Sequence, residues 1–289
     1  MLFFYIPDLY DLCDVNIAFI DYMYAHPEKF RDCRIGAVYG TFPGMIWDGG
    51  RLISSSRLPD QKWMDIVLSF NRREIPVRFA CTNSAIEEQH LSDDYCNRIL
   101  SFADNGMNEV IVNTDVIEQY IRDSFSSYKI ISSTTKCLDT LSLLEQELSK
   151  NYFLVVPDFA LNNTDEILTV SKPDKCELLL NDSCGQRCPN RKADYYHVSR
   201  QNLGVEDNPP VECPFKHFKS MSVYELIKYN PASISVEDVY GKYGLAGFKH
   251  FKIVGRRTSP LSCVESYVYY MVKEEYRWEV LSHFIKLLG

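Results

Sequence analysis

Residues 109–134 read EVIVNTDVIEQYIRDSFSSYKIISST, and the order of residue types within them decides the fold class. Residues 109–113 and 129–134 are mostly unbroken apolar runs, the pattern of strands buried on both faces in a parallel sheet. Between them, residues 115–123 carry a helical pattern. Strand, helix and strand in that order form the repeating unit of an α/β protein.

Working outward, further β-rich runs fall at 2–6, 34–39, 77–82, 153–157, 176–180 and 248–254. Helical patterns fall at 61–72, 93–105 and 138–150. In the last of these, Leu138, Leu141, Leu144, Glu145 and Leu148 follow the three-and-four spacing of an amphipathic helix. Asn105-Gly106 stops the 93–105 helix as a C-cap would. Eight strands alternating with helices predict a single (β/α)8 TIM-barrel-like domain over 1–289, rather than a doubly wound sheet. No Gly-x-Gly-x-x-Gly follows any strand, which lowers the dinucleotide-binding alternative. The rhythm breaks at 191–242, which holds Pro209-Pro210, several charges and no clear strand. Residues 183–242 are therefore expected to be a cysteine-bearing segment and irregular insertion at the barrel mouth, before the last strand.

The chain has 289 residues, 46% of them hydrophobic and 24% charged, as in soluble globular proteins. A net charge of −8 disfavours a broad phosphate-binding face, so a small-molecule substrate is preferred to nucleic acid. That charge still leaves room for a local basic patch around Lys249, Lys252, Arg256 and Arg257, with a solvated strand end as the equal alternative. No secretory signal and no apolar run of spanning length is visible, so no membrane insertion and a cytoplasmic location are expected. In that compartment the ten cysteines stay reduced. Cys13, Cys33, Cys96, Cys176 and Cys263 have partly apolar neighbours and read as small buried hydrophobes.

In a barrel of this kind the working groups lie at the carboxyl ends of the strands. Those ends carry Thr82, Asn83, Asn113, Thr134, Thr135, Asp158, Asn181, Gly255 and Arg256. Arg256 is the candidate for gripping a carboxylate or phosphate through its bidentate fork, with Asn113 or Asp158 orienting the acceptor. The segment Cys184-Gly-Gln-Arg-Cys188-Pro189 sets two thiols on the turn after a strand, and Cys137 and Cys213 are the candidates to join them. Soft thiolates select zinc or an iron–sulfur cluster. A structural zinc site usually has two close cysteine pairs, and only one is present, so ligands scattered over strand ends fit a cluster better. The radical S-adenosylmethionine pattern needs a third cysteine where Arg191 stands. His197 and His217 flank the cysteines, and Tyr195 and Tyr196 could stack on a planar substrate, although cap and core roles suit all four.

The stretch 247–260, GFKHFKIVGRRTSP, resembles the Lys-Ile-Glu-Gly-Arg-x-x-Ser-Pro signature of the collagenase-like peptidase U-32 family. Residues 109–113, 129–134 and 176–188 are similar to that family's consecutive strands and the strand leading to its cysteines. The resemblance implies a barrel and, from several members, a four-iron four-sulfur (4Fe-4S) cluster held by four cysteines. It further implies oxygen-independent hydroxylation or a related redox modification of a small molecule or nucleobase, with a partner subunit or electron donor. In this chain Cys184 and Cys188 take the ligand role most directly, with Cys137 and Cys213 completing the set and Cys81 in reserve. Val254 replaces the family's usual Glu, and one x3 pair replaces its usual cysteine spacing. A non-enzymatic barrel with a structural four-cysteine zinc site is the first alternative. A peptidase, following the family's older name, is the second.

Overall fold

The structure is a computed structural model, and it describes residues 1–205, 211–255 and 259–289. Eight strands run β1 (Leu2–Pro7), β2 (Cys33–Gly40), β3 (Val77–Cys81), β4 (Glu109–Val112), β5 (Lys129–Ser132), β6 (Leu154–Val155), β7 (Glu177–Leu179) and β8 (His250–Lys252). Every ladder is parallel, in the order β6-β5-β4-β3-β2-β1-β8-β7. A single parallel bridge between Val155 and Cys176 joins the two edges. The sheet is thus a nearly closed (β/α)8 barrel, as the alternation of runs predicts.

Five of the crossovers carry helices α1 (Cys13–Ala25), α2 (Asp60–Asn71), α3 (Asp94–Ala103), α4 (Asp115–Ser124) and α5 (Leu141–Leu148). Their starts are set by side-chain caps: Asp93 accepts from the Cys96 amide, Thr114 from Ile117, and Thr140 from Leu143. Thr140 starts α5 after Leu138, which stays buried in the preceding turn. Between β6 and β7 three short 3-10 turns, Phe159–Leu161, Glu166–Thr169 and Pro173–Lys175, replace a helix. The expected irregular insertion after β7 is largely helical instead. It holds α6 (Arg191–Asn202), α7 (Val223–Tyr229) and α8 (Val236–Asp238), the last continuing as a π-turn over Val239–Tyr243. Polar sequence concealed α6, whose Arg191, Tyr195 and Ser199 are nevertheless buried at four-residue intervals. Helices α9 (Pro260–Met271) and α10 (Arg277–Leu288) close the chain against the first crossover, where Phe284 and Tyr267 pack on Phe19. Among the described residues no helix is long and apolar enough to cross a membrane.

The strands' two-residue period divides the apolar core into two parts. Outward residues such as Phe4, Ile6, Val38, Phe79, Val110 and Phe251 pack under the helices. Inward residues Tyr5, Ala37, Tyr39, Ile111, Ile131, Leu154 and Leu179 fill the barrel. Pairing of β1 with β2 shifts between Phe4 and Tyr5, so Tyr5 faces Ala37 and Gly36 is skipped. A Cβ on Gly36 would lie 2.7 Å from the Tyr5 ring, so the skipped residue leaves room for that ring.

The inside of the barrel is not wholly apolar. Arg78 of β3, fully buried, donates from Nε to Glu109 of β4 at 2.7 Å and from Nη1 to Glu177 of β7. Its guanidinium lies 3.8 Å from the centre of the Tyr5 ring. Lys252 of β8 completes the layer, with Nζ 3.7 Å from Glu177 and 3.9 Å from the centre of the Tyr39 ring. Lys252 is only 5% exposed, which corrects its sequence reading as part of a surface basic patch; Lys249, three residues earlier, is exposed. The alternation of β8 sends neighbouring lysines to opposite environments.

Candidate active site in the barrel mouth

At the carboxyl ends of the strands a cavity of about 40 Å3 is lined by residues that include Asp8, Tyr39, Asp48, Arg51, Thr82, Ser133, Thr134, Thr135, Lys252 and Gly255. Each is placed by a local device. Asp8 follows β1 in the left-handed conformation, φ 67°, and its carboxylate accepts from the Asp11 amide at 3.0 Å. Asn16 of α1 fixes the same turn by donating to the Pro7 and Asp8 carbonyls at 2.9 and 3.0 Å. Asp48, on the loop after β2, accepts from Thr41 at 2.9 Å, Thr82 at 3.3 Å and the Gly50 amide at 2.9 Å. Arg51 donates to Asp8 at 2.6 Å and lies 3.9 Å from Asp48. Ser133 and Thr135 share a hydroxyl hydrogen bond of 2.8 Å in the turn after β5.

Beside this cavity stands a second buried cation. Arg191, at the start of α6, pairs with Asp158 at 2.6 Å and donates to Thr134 at 3.0 Å and the Tyr195 hydroxyl at 3.2 Å. Its guanidinium lies 3.6 Å from the centre of the Phe159 ring. Asp158 also caps the Phe159–Leu161 turn by accepting from the Ala160 amide at 2.7 Å. Asn113 donates to the Thr82 carbonyl at 3.3 Å. Both sequence candidates therefore stand beside the cavity rather than in its lining, with these polar atoms engaged in holding the mouth together. Arg256 and Arg257 lie outside the described residues; Gly255, just before them, lines the cavity.

The cysteines divide as follows. Burial pushes the Cys184 thiol up, and the Asp182 charge and a hydrogen bond with Cys188 add to the effect, so the two thiols of the x3 pair are in contact and Cys184 is protonated. Burial raises Cys137 to about 11, opposed chiefly by the Arg191 charge, which also opposes the rise at Cys184. Cys137 is left-handed, φ 54°, and donates to the Thr135 carbonyl at 3.6 Å. The Cys213 segment lies along the pair: Asn190 donates to the Glu212 carbonyl at 3.0 Å, and a Cβ on Gly185 would strike the Phe215 ring. Three stretches of chain thus meet at the mouth's edge. Among the described residues, however, no three His, Cys, Asp or Glu side chains form a group that could hold a metal ion. As placed, the thiols are not the closed set of four that a cluster requires. Cys81 is fully buried in the barrel wall, its thiol pushed up by burial and the charge of Asp48. Cys33, Cys96, Cys176 and Cys263 are buried as expected, and Cys13 is half-buried. His197 is half-buried on α6, His217 is exposed, Tyr195 is buried, and Tyr196 is 47% exposed.

Sequence reasoning missed Asp8, Asp48, Arg51 and Lys252. A signal was available for Lys252, a lone charge amid the apolar residues of 248–254. Asp48 and Arg51 flank Gly49-Gly50 in a loop without periodicity, and only the fold brings them to Asp8.

No family model matches the chain, and no curated protein matches it. Among solved structures it is similar to that titled the U32 peptidase Mk0906, at 14% identity and a TM-score of 0.55, over 90% of this chain and 95% of the other. At that identity the likeness carries the architecture alone: the chain has a U32-like barrel, widely diverged in sequence.

Proposed function

We propose that the chain is an enzyme whose reaction site is the barrel mouth and whose substrate is a small molecule with an anionic head. The observation that carries this reading is the cavity of about 40 Å3 bordered by Lys252, Arg51 and the hydroxyls of Thr82, Ser133, Thr134 and Thr135. A buried space of that size holds roughly three water molecules, the room needed by one carboxylate or phosphate. Lys252 supplies the charge and the hydroxyls supply directed donors. Asp8 and Asp48 hold Arg51 and offer carboxylates for proton transfer at the cavity wall. The test is calorimetric titration with small carboxylates and inorganic phosphate. Thr134→Val and Lys252→Met are expected to weaken binding at least tenfold while the circular dichroism spectrum is kept. Unchanged affinity in both variants would end this reading.

A second reading has Cys137, Cys184, Cys188 and Cys213 holding a 4Fe-4S cluster in a U32-like enzyme that hydroxylates a small molecule or nucleobase without oxygen. The contact between Cys184 and Cys188, with the Cys213 segment alongside, favours it. Such a cluster would supply electron transfer, and Cys137 and Cys213 would have to turn toward the pair. Iron, sulfide and zinc content of protein purified without oxygen separates the cases: about four irons with absorption near roughly 400 nm supports the cluster. One zinc and no colour makes the cysteines a structural site. Full iron in both the Cys184→Ala and Cys188→Ala variants removes them as ligands. The peptidase alternative gains nothing from the mouth, since among the described residues no histidine lines the cavity to activate Ser133 or a threonine.

A further inference from the structure

At the opposite end of the barrel, the strand starts enclose a larger open chamber of about 1030 Å3. Ligand pockets commonly measure about 300–1,000 Å3, so this one has room for a whole nucleotide-sized molecule. The ionic layer of Arg78, Glu109, Glu177 and Lys252 lies between it and the mouth, and the two cavities share no lining residue.

Three features describe what would bind there. The first is charge. Five Lys or Arg and three Asp or Glu side chains line the chamber, although the chain as a whole carries −8. Three of these eight are spent: Arg73 grips Asp21 at 2.7 and 2.8 Å, Glu109 is held by Arg78 at 2.7 Å, and Asp32 pairs with the Met1 amine at 2.9 Å. Four cations remain against one carboxylate, Glu74. Arg34 and Lys129 are among those cations and are exposed, and Nε of Arg31 is buried with no hydrogen-bond partner. The second is a flat aromatic shelf. The rings of Phe3 and His250 stack at 5.3 Å and 16°, and Lys129 lies 5.0 Å from the centre of the Phe153 ring. The third is a directed donor. Burial, first among several effects, lowers His250 to about 4, so the ring is neutral at pH 7. Burial keeps the Tyr5 phenol protonated, and its hydroxyl meets His250 Nδ1 at 2.7 Å. In the tautomer where the phenol donates to Nδ1, the ring proton sits on Nε2 as a donor.

We propose that this chamber binds a planar aromatic anion of the nucleoside monophosphate class, with its ring on the Phe3–His250 shelf and its phosphate at Lys129 and Arg34. Stacking and charge-assisted hydrogen bonds to phosphate are the two interactions that such a ligand would combine. This reading is independent of the chemistry proposed for the mouth.

The test is calorimetric titration of the full chain with adenosine monophosphate, adenosine and inorganic phosphate. The monophosphate is expected to bind at least tenfold more tightly than either fragment. Lys129→Glu and Arg34→Glu, both at exposed positions where folding is not at stake, are each expected to weaken it at least tenfold. Thr134→Val in the mouth should leave it unchanged. Absence of monophosphate binding at millimolar concentration overturns the proposal, as does equal affinity for phosphate alone. Loss of binding in Thr134→Val with none in Lys129→Glu would place the ligand in the mouth, and equally overturns it.

Discussion

Replacing Arg78 by methionine keeps a long side chain inside the barrel and removes its charge. In the native chain the guanidinium faces Glu109 and Glu177, both almost wholly buried, and covers the Tyr5 ring. Without it, two carboxylates share the layer with Lys252 alone, whose nearest contact to Glu177 is 3.7 Å. Removing one partner of a buried ion pair costs about 3–5 kcal/mol, because the remaining charge is stranded. The ring contact adds to the loss, while the methionine stem recovers some packing. We expect a net loss of roughly 4 kcal/mol at pH 7, or a melting point lower by about 8–16 °C at roughly 2–4 °C per kcal/mol. The pH dependence is the sharper signature. In the native protein Glu177 is held below its usual value: burial opposes ionisation, but Arg78 and Lys252 outweigh it. Its contribution is present above about 4.3, the unfolded value, and is lost as pH falls through the lower folded value. Glu109 is raised, since burial outweighs Arg78, so it contributes an opposing penalty that is relieved as pH falls. In Arg78→Met both carboxyls move up, and the variant should regain more stability from pH 7 to pH 5 than the native protein does. Urea unfolding at both pH values measures this. A loss below about 1 kcal/mol, or a loss equal at the two pH values, would refute the buried-charge reasoning.

The remaining predictions are local. Gly49→Ala should cost about 1–3 kcal/mol, because the new Cβ would meet Asn83 Cα at 2.5 Å and the Thr82 carbonyl at 2.6 Å, backbone that cannot yield cheaply; thermal melting reads it. Burial opposes ionisation of Glu147, but Lys136, Lys150 and Ser132 hold it down to about 2. Glu147→Gln should therefore lose roughly 1–2 kcal/mol at pH 7, discounted for solvent near the lysines, and the gap to the native protein should close as pH falls from about 4.3 through about 2. Iodoacetamide should label Cys188 and Cys213 in the folded protein and leave Cys81 and Cys96 untouched until urea unfolds it, as mass spectrometry of the peptides would show.

The eight strands were legible because parallel strands buried on both faces need unbroken apolar runs, and all eight runs became strands. Their ends were not: the 153–157 run keeps only Leu154–Val155 as a strand, although Phe153 and Val156 on either side still donate to the Ile130 and Ser132 carbonyls of β5. The ionic layer was present in sequence as lone charges, Arg78 after Val77, Glu177 after Cys176 and Lys252 after Phe251. Such a charge reads as a strand end until the period-2 alternation is known to point it inward, and Lys252 was misread for that reason. The site candidates fared according to chain distance. Thr82, Thr134, Thr135 and Gly255 follow strands directly and line the cavity, whereas Asp48 and Arg51 arrive on a long loop that periodicity cannot place.

The same layer links stability to the proposed chemistry. Lys252 belongs to two environments: Glu177 lies below it, and the mouth cavity lies beside it. Glu177 is itself shared with Arg78, so a full carboxylate charge is not available to Lys252 alone. A substrate anion can then compete for the ammonium without having to displace an undivided ion pair. Glu177→Gln should sharpen this competition. With the carboxylate gone, the layer becomes more positive by one charge, and a small carboxylate in the mouth should bind about tenfold more tightly, even as the protein loses stability. Calorimetry at pH 7 and low salt would measure both affinities. Weaker binding in Glu177→Gln would mean that the carboxylate positions Lys252 rather than restrains it, and the electrostatic account of the mouth would have to be abandoned.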